Sequence, residues 1–332
     1  MPKLPLDFRQ LTKAIGLAAE ESQQPLTLKV LVDGRIDGAL MSQAQQALRP
    51  LGDNLQVEVS LLTPETVLSG DSSLLLLFAA NAAVAEKVLI AALLRGIPAV
   101  AVQTDAITWA VAPVQGTALG DSAEFRTSPV APAEEGDLAP LFLELGRWMV
   151  QHLREQSLAW ARNLVFVRKP YVQEAILATS VQNAAISAIP ILPGADLPLL
   201  ALNQVRLFLK IGAAWGLPVD NGRLKEIALL VGSSFGFRAL ARRLVGLVPV
   251  FGWAMRAAVG FGGTQAVGRA ADEYFALGGD LAGLAATLAG RGGGRGVSGA
   301  QGHTTRSPLT RRWYLDIDSQ LEPESDTEAP GQ

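Results

Sequence analysis

Apolar positions in the first hundred residues follow two alternating patterns. Short aliphatic runs have the length of buried strands, and the stretches between them have helical spacing. The predicted strands are Leu26–Val32, Leu55–Leu62, Leu74–Phe78 and Ile97–Val102. The predicted helices of this part are residues 8–22, 39–49 and 82–95. Strands that alternate with helices at this spacing predict an α/β domain with a mostly parallel sheet, similar to Rossmann and P-loop folds.

The pattern changes beyond residue 106. Residues 107–137 are rich in Pro, Gly, Ala and Ser and predict a long irregular loop. Helical spacing returns over residues 138–163, where His152 lies beside the apolar stripe and is expected to be a hydrogen-bonded core or boundary histidine. Long apolar segments with few charges follow and predict an all-α C-terminal domain. They are residues 171–188, 197–214, 223–237, 238–248 and 250–279.

These patterns divide the chain into five parts. The parts are an N-terminal helix (1–24), an α/β domain (25–137), a connecting helix (138–163), a helical domain (164–289) and a tail (290–332). The tail begins with Gly and Arg and ends with Asp, Glu and Pro, so it offers too little apolar surface to order itself and is predicted to be disordered. Within it, Trp313-Tyr314-Leu315 is a candidate docking motif.

Composition removes several function classes. The chain has 332 residues, no Cys, and 28 Lys and Arg against 31 Asp and Glu, so we expect no disulfide, no thiol chemistry and no nucleic-acid partner. Its two histidines, His152 and His303, stand alone, and we expect no metal site, no cofactor and no catalytic residue. The first residues carry charge and proline instead of a long apolar run, which predicts that the chain starts in the cytoplasm.

Candidate ligand chemistry concentrates in the loop after the first strand, because ligands of such sheets bind at the carboxyl ends of the strands. Counted from Gly34, the Gly-Lys-Ser positions of a phosphate-binding P-loop hold Ala39-Leu40-Met41, so all three required groups are missing. The loop then reads either as a structural turn or as a phosphate site built from backbone amides and Arg35. Gly34, Arg35 and Asp37 are its weak candidates for cofactor binding.

A second candidate is Asp105, which follows the fourth predicted strand. Gln103-Thr104-Asp105 stands where Ras-like GTPases carry Asn-Lys-x-Asp for guanine recognition, and it is an eroded relative of that motif at best. A lone Asp after a strand is also typical of a turn or a helix cap. The α/β domain therefore resembles a degenerate Ras-like GTPase domain.

The helical half carries a more specific set of motifs. An Ile-Pro-Ile-Leu-Pro-Gly-Ala-Asp turn at residues 189–196 is followed by Gln204, Trp215-Gly216, Val248-Pro249-Val250-Phe251-Gly252 and an Ala-x-Gly-Arg-Ala-(x)3-Tyr-Phe ending at Phe275. Together they resemble the bacterial domain of unknown function 697 over residues 165–280. The turn residues that carry the resemblance are Pro190, Pro193, Gly194 and Asp196.

That resemblance implies a helical, membrane-associated module that often follows a Ras-like GTPase domain, with no catalytic residues to carry over. Two segments approach the length of a transmembrane helix: Ala175–Ala195, which contains two prolines, and Leu244–Gly268, which has Arg256 at its centre. Spanning, re-entrant and surface-bound arrangements therefore stay open. Gly212 and Gly216, like Gly232 and Gly236, have the spacing of close helix packing.

Two basic clusters flank the apolar segments and are expected to meet anionic headgroups. They are Arg162, Arg168 and Lys169, and Arg238, Arg242 and Arg243. The sequence as a whole predicts a non-enzymatic binding or scaffold protein at the cytoplasmic membrane, with membrane lipids or membrane proteins as partners. Two alternatives stay open: an atypical nucleotide-binding enzyme that uses Arg35, Asp37 and Asp105, and a cytoplasmic interaction protein that forms a homo-oligomer.

Overall fold

The computed structural model describes residues 8–63, 66, 68, 71–112, 123–131, 137–188, 197–218 and 252–279. The predictions for helices 223–237 and 238–248, for the turn at 189–196 and for the tail at 290–332 concern residues outside these ranges. The strands are β1 (Leu26–Val32), β2 (Leu55–Leu61), β3 (Leu74–Phe78), β4 (Ala99–Val102), β5 (Ala106–Val111) and β6 (Glu124–Pro129). The helices are α1 (Phe8–Ser22), α2 (Gly38–Ala47), α3 (Ala82–Leu93), α4 (Ala139–His152), α5 (Ser157–Asn163), α6 (Val165–Ala188), α7 (Leu197–Ala214) and α8 (Gly252–Ala276).

Six strands form one sheet in the order β2-β1-β3-β4-β5-β6. The first four are parallel, with Val30 of β1 in register with Val59 of β2 and Leu76 of β3. The last two add antiparallel neighbours, so the sheet is mixed. The α/β class is thus confirmed, and the four strands predicted for it are the four parallel ones.

The irregular loop predicted for residues 107–137 is wrong in part, because β5 and β6 form an antiparallel hairpin there. Ala106–Val111 combines β-branched and aromatic residues, which favour a strand. The Gly, Pro and Ala content around this short run concealed the signal. Thr108 and Thr127 lie opposite each other and their hydroxyls are 3.1 Å apart, which ties the two strands together.

Both faces of the sheet are covered, but unequally. On one face, β1 and β3 residues such as Leu28, Val30 and Leu76 join a large core with α1, α2 and α4–α8. On the other face, Leu31, Leu75 and Leu77 form a small core with α3. Apolar β3 side chains are buried on both sides, which explains why this strand is a continuous run of Leu and Phe.

The connecting helix and the helix after it differ from the prediction. Residues 138–163 form two helices, α4 and α5, instead of one. The next helix begins at Val165, six residues before the predicted start, and contains Pro170. Proline has no N–H to donate to the carbonyl of Phe166 one turn earlier, and Gly146 of α4 lies directly against that carbonyl. The freed carbonyl therefore sits at the α4–α6 contact.

Small residues let α6, α7 and α8 approach closely. A Cβ added to Gly260 would lie 2.7 Å from the carbonyl of Asn183, and one added to Gly268 would meet Ile176 at 2.6 Å. A Cβ added to Gly212 would likewise lie 2.9 Å from the ring of Phe275. Of the two glycines predicted to pack in α7, only Gly212 does so, because Gly216 has a φ of 74° and ends the helix. Gly232 and Gly236 lie outside the described residues.

Buried polar groups fix the same three helices. The amide nitrogen of Asn183 donates to the hydroxyl of Thr264 at 2.9 Å, and Asn203 donates to the amide oxygen of Asn183 at 2.9 Å. At the other end, the indole N–H of Trp215 donates to Asp272 at 2.9 Å, and Lys169 lies 3.8 Å from the same carboxylate. These contacts set the register of α6, α7 and α8.

Candidate functional site

The strand order reverses between β1 and β3, which makes their carboxyl ends the expected ligand crevice of this fold. Helix α2 follows β1 and helix α3 follows β3, so both helices begin at this edge. The backbone N–H of Asp33, just past β1, donates to the carbonyl of Phe78 at the end of β3. This hydrogen bond links the ends of β1 and β3 at the mouth of the crevice.

Asp33 is the central side chain of the crevice. It is 6% exposed, and its carboxylate accepts from the Arg35 guanidinium at Nε (3.0 Å) and Nη2 (2.8 Å). The backbone N–H groups of Arg35 and Ala80 add bonds of 3.2 and 3.4 Å. The hydrogen bonds from the Arg35 side chain outweigh burial and lower the pKa of Asp33 to about 2. The carboxylate is therefore charged, shared between both strands and already paired.

Arg35, the cation of the alternative in which this loop holds a phosphate, is engaged by Asp33. Its side chain is 63% exposed, but its guanidinium forms the two-pronged contact with the carboxylate two residues before it. Asp33 was not among the candidates predicted from the sequence. The available signal was its position, because it is the first charged residue after a strand predicted to be buried.

The other loop candidates serve local structure. Asp37 is the N-cap of α2, and its carboxylate accepts from the N–H of Ala39 at 2.8 Å. Asn81 caps α3 in the same way through the N–H of Val84 at 3.1 Å. A Cβ added to Gly34 would meet nothing within 4 Å, and its φ is not positive, so glycine is not required there.

Asp105 lies at the same edge of the sheet but apart from the loop. It is exposed in the turn between β4 and β5, where the N–H of Gln103 donates to the carbonyl of Ala106 at 2.9 Å. Its own carbonyl accepts from the N–H of Val130 at 2.7 Å. Strand β4 is two positions from β1, about 10 Å away at ordinary strand spacing. The structure therefore gathers Gly34, Arg35 and Asp37 in one loop and leaves Asp105 outside it.

The expectation that Arg162, Arg168 and Lys169 face lipid headgroups is wrong for two of the three. Arg168 is 2% exposed, and its guanidinium lies 4.8 Å from the centre of the Trp215 ring. Lys169 faces Asp272 inside the bundle. Both cations hold helices together, because a cation over an indole or beside a carboxylate compensates its own burial. Arg238, Arg242 and Arg243 lie outside the described residues, as do Pro190, Pro193, Gly194 and Asp196.

A second concavity, of about 390 Å³, opens between α1 and α4–α7. Its charged groups come in equal numbers of both signs: Glu21, Glu155, Glu174, Arg154, Arg206 and Lys210. Lys210 is 2.8 Å from Glu21. Burial, together with the nearby charge of Glu21, raises the pKa of the Tyr171 hydroxyl, so this phenol stays protonated. The charges that line this concavity therefore balance, with no cluster of one sign.

No protein-family model, curated protein or solved structure in the comparisons matches this chain. Within the part of the chain that the structure describes, no group of three His, Cys, Asp or Glu side chains is placed to hold a metal ion. None of the described helices combines the length and the apolarity needed to cross a bilayer. The resemblance to the domain of unknown function 697 stays a prediction.

Proposed function

We propose that this protein is a non-enzymatic binding or scaffold protein, whose GTPase-like α/β domain has no nucleotide chemistry and whose helical region associates with a membrane. The observation that carries the first part is the Asp33–Arg35 pair in the ligand crevice. An incoming phosphate would have to displace a carboxylate that already holds the cation by two bonds. It would also face the buried negative charge of Asp33.

The helix N-termini at the crevice support the same proposal. A phosphate in such a fold is held by free backbone N–H groups at the start of a helix. In this chain, Asp37 and Asn81 each accept one of those N–H groups. The carboxylate of Asp37 also places a negative charge at the mouth, where a phosphate would be repelled.

Exposed apolar side chains support the second part. Leu177 and Val181 are 48% and 55% exposed, and they lie one turn apart on the same face of α6. Leu199, near the start of α7, is 48% exposed. Leu199 is a separate exposed leucine, because Asn203 of α7 contacts Asn183, which lies on a different face of α6 from Leu177 and Val181. We call Leu177 and Val181 the distal patch, and propose that it enters the apolar boundary of the membrane.

Nucleotide binding tests the first part. The full chain is titrated with Mg²⁺-GTP and Mg²⁺-ATP in a calorimeter, and hydrolysis is followed in parallel. We expect no saturable heat and no hydrolysis above background. Mg²⁺-dependent binding that disappears in an Arg35→Ala, Asp105→Ala double variant, but survives in the control variant Arg95→Ala, would instead establish the atypical nucleotide-binding enzyme.

Flotation with lipid vesicles tests the second part. We expect the full chain to float with phosphatidylglycerol vesicles, and a Leu177→Ser, Val181→Ser variant to float markedly less. The matched control, Leu51→Ser with Leu94→Ser, changes two leucines of the α/β domain that are equally exposed, at 49% and 51%. A wild-type chain that stays in the unbound fraction overturns membrane association, and a defined oligomer in sedimentation would then favour the homo-oligomeric alternative.

A further inference from the structure

Strand β2 forms one edge of the sheet and has a row of unpaired backbone groups. It pairs with β1 alone, in an unbroken register of seven residue pairs. The carbonyl of Asn54 accepts from β1 and the N–H of Leu62 donates to it, so the even-numbered residues between them direct their backbone groups at β1. The N–H and C=O groups of the odd-numbered residues therefore point away from the sheet, and no described residue bonds to them.

The same odd-numbered residues carry the apolar side chains of β2. Leu55 is buried and Val57 packs against the large core, whereas Val59 and Leu61 are 61% and 66% exposed. These are the highest exposures among the large apolar side chains of the described residues. We call Val57, Val59 and Leu61 the β2 row. The core face of the sheet thus continues along the β2 row beyond the elements that cover it, as an exposed apolar patch.

The opposite edge of the sheet is protected against strand addition, and β2 is not. Strand β6 carries a glutamate, an arginine and Pro129, and charges and proline discourage the pairing of edges. Strand β2 has no proline, no basic residue and no bulge, and its one charge, Glu58, alternates with the β2 row and lies on the other face. Helix α2, which packs on the same face as the β2 row, has no charged residue from Gly38 to Ala47. This edge therefore presents no charge on its apolar face to repel an identical edge.

We propose that two copies of this chain pair through β2, antiparallel about a two-fold axis at Val59, and form one continuous sheet. Val59 then lies opposite its own copy, and Val57 lies opposite Leu61 of the second copy. Because these residues all direct their backbone groups outward, each pair exchanges both of its hydrogen bonds. The axis is perpendicular to the sheet, so the two β2 rows lie side by side on the same face and cover each other.

Glu58 selects this register. An axis at Glu58 would place two carboxylates directly opposite each other, which is destabilising. An axis at Val59 places Glu58 opposite Ser60 instead, and Lys29 of β1 is the neighbour of Glu58 in the sheet. One strand pair with its flanking side chains buries less than about 1,000 Å², so the dimer should be weak and concentration-dependent. The inference is independent of the proposed function, because β2 contributes to neither the Asp33 crevice nor the distal patch.

Sedimentation velocity of the full chain across the micromolar range tests the proposal. We expect a reversible equilibrium of monomer and dimer, which Val59→Lys abolishes because it places two ammonium groups on the axis. The fold should tolerate this change, since Val59 is mostly exposed, and circular dichroism checks it. Gln56→Lys adds the same charge on the other face, away from the axis, and should keep the dimer. A wild-type chain that stays monomeric, or a dimer that survives Val59→Lys, overturns the proposal.

A cysteine variant locates the axis. The chain has no Cys, so Val59→Cys introduces a single thiol, which the proposed axis places with its Cα about 5.5 Å from that of its copy, within disulfide range. Mild oxidation should therefore yield a covalent dimer. Leu94→Cys, at an exposed leucine after α3, measures linking by random collision and should react far more slowly. Equal rates of linking in the two variants would contradict the assignment.

Discussion

Asp33 shows how a single side chain can link the carboxyl ends of two strands. Its carboxylate accepts two bonds from Arg35 and two from backbone N–H groups, one of them on the neighbouring strand loop at Ala80. Because the charged form is held by four donors, protonation removes part of what joins the ends of β1 and β3. The crevice thus depends on the charge state of one residue.

Stability in acid tests this role. The pKa of Asp33 falls from 3.8 to about 2 on folding, so its contribution is complete above about pH 4 and is lost as the pH drops towards 2. The loss should be at most about 1 kcal/mol, because the partner Arg35 is mostly exposed. In urea unfolding at about pH 5.5 and pH 2.5, Asp33→Asn should reduce the difference between the two free energies of unfolding.

The control for this measurement is Asp105→Asn, which changes an exposed carboxylate in a turn at the same edge of the sheet. It should keep the pH dependence of the wild-type chain. If Asp33→Asn shows the full wild-type difference as well, the Asp33–Arg35 pair contributes nothing to the folded state.

Asn163 is a second residue whose side-chain polar atoms are all hydrogen-bonded. It is completely buried; its side-chain nitrogen donates to the carbonyl of Ala159 and to Asn54, and its oxygen accepts from the N–H of Gly52. Asn163→Ala would leave that N–H unpaired and should cost about 1–3 kcal/mol of unfolding free energy. Gln45→Ala, on the exposed side of α2, is the matched control and should change little. An Asn163→Ala chain as stable as wild type in urea would show that water replaces the lost bonds.

Close contacts between helices depend on glycines, which have no side chain to keep the helices apart. Helix α4 meets α6 at Gly146, where a Cβ would lie 2.5 Å from the carbonyl of Phe166. Backbone cannot yield as a flexible side chain can, so this contact fixes the distance between the two helices. Gly262 of α8 is the opposite case, because a Cβ there would meet nothing within 4 Å.

A pair of glycine substitutions separates these two cases. Gly146→Ala should destabilise the chain by about 1–3 kcal/mol, since the helices must move apart to admit the methyl group. Gly262→Ala should stabilise it by up to about 1 kcal/mol, because alanine has the higher helix propensity. Thermal unfolding followed by circular dichroism measures both. Equal effects of the two substitutions would mean that α4 and α6 are not held at this distance.

Elements with a strong apolar pattern were predictable, and those set by distant contacts were not. The spacing of apolar residues such as Leu28 and Val30, and the apolar run Leu74–Phe78, indicate buried strands. Strands β1 and β3 lie at the positions that these patterns predict. Strand β6, Glu124–Pro129, has one large apolar residue, Phe125, and exists because β5 lies beside it. In the crevice, Asp37 was predicted only as a weak candidate for cofactor binding, whereas its side chain caps α2. The hydrogen bonds of Asp33 come from Arg35 in its own loop and from Ala80 after β3, and the spacing along the sequence does not place these groups together.

At the scale of the whole molecule, one core joins the two halves of the sequence. Apolar residues of the sheet, such as Leu76 and Val100, belong to the same buried cluster as Trp160 of α5 and Phe275 of α8. Helix α1 adds to this junction, since Glu21 near its end pairs with Lys210 of α7. The predicted boundary at residue 164 thus falls within a continuous apolar contact.

A continuous core predicts one cooperative unfolding transition for the described parts of the chain. Two domains with separate cores would unfold independently, whereas a shared core couples them, because exposing one side strips apolar contacts from the other. In urea, the loss of helix measured by far-ultraviolet circular dichroism should coincide with the change in the summed fluorescence of the six tryptophans, which include Trp160 at the junction. Gly146→Ala should move both curves to lower urea by the same amount. If only one of the two curves shifts, or if the wild-type curves separate, the sheet and the helices α6–α8 are independent units, and the boundary at residue 164 is a true domain boundary.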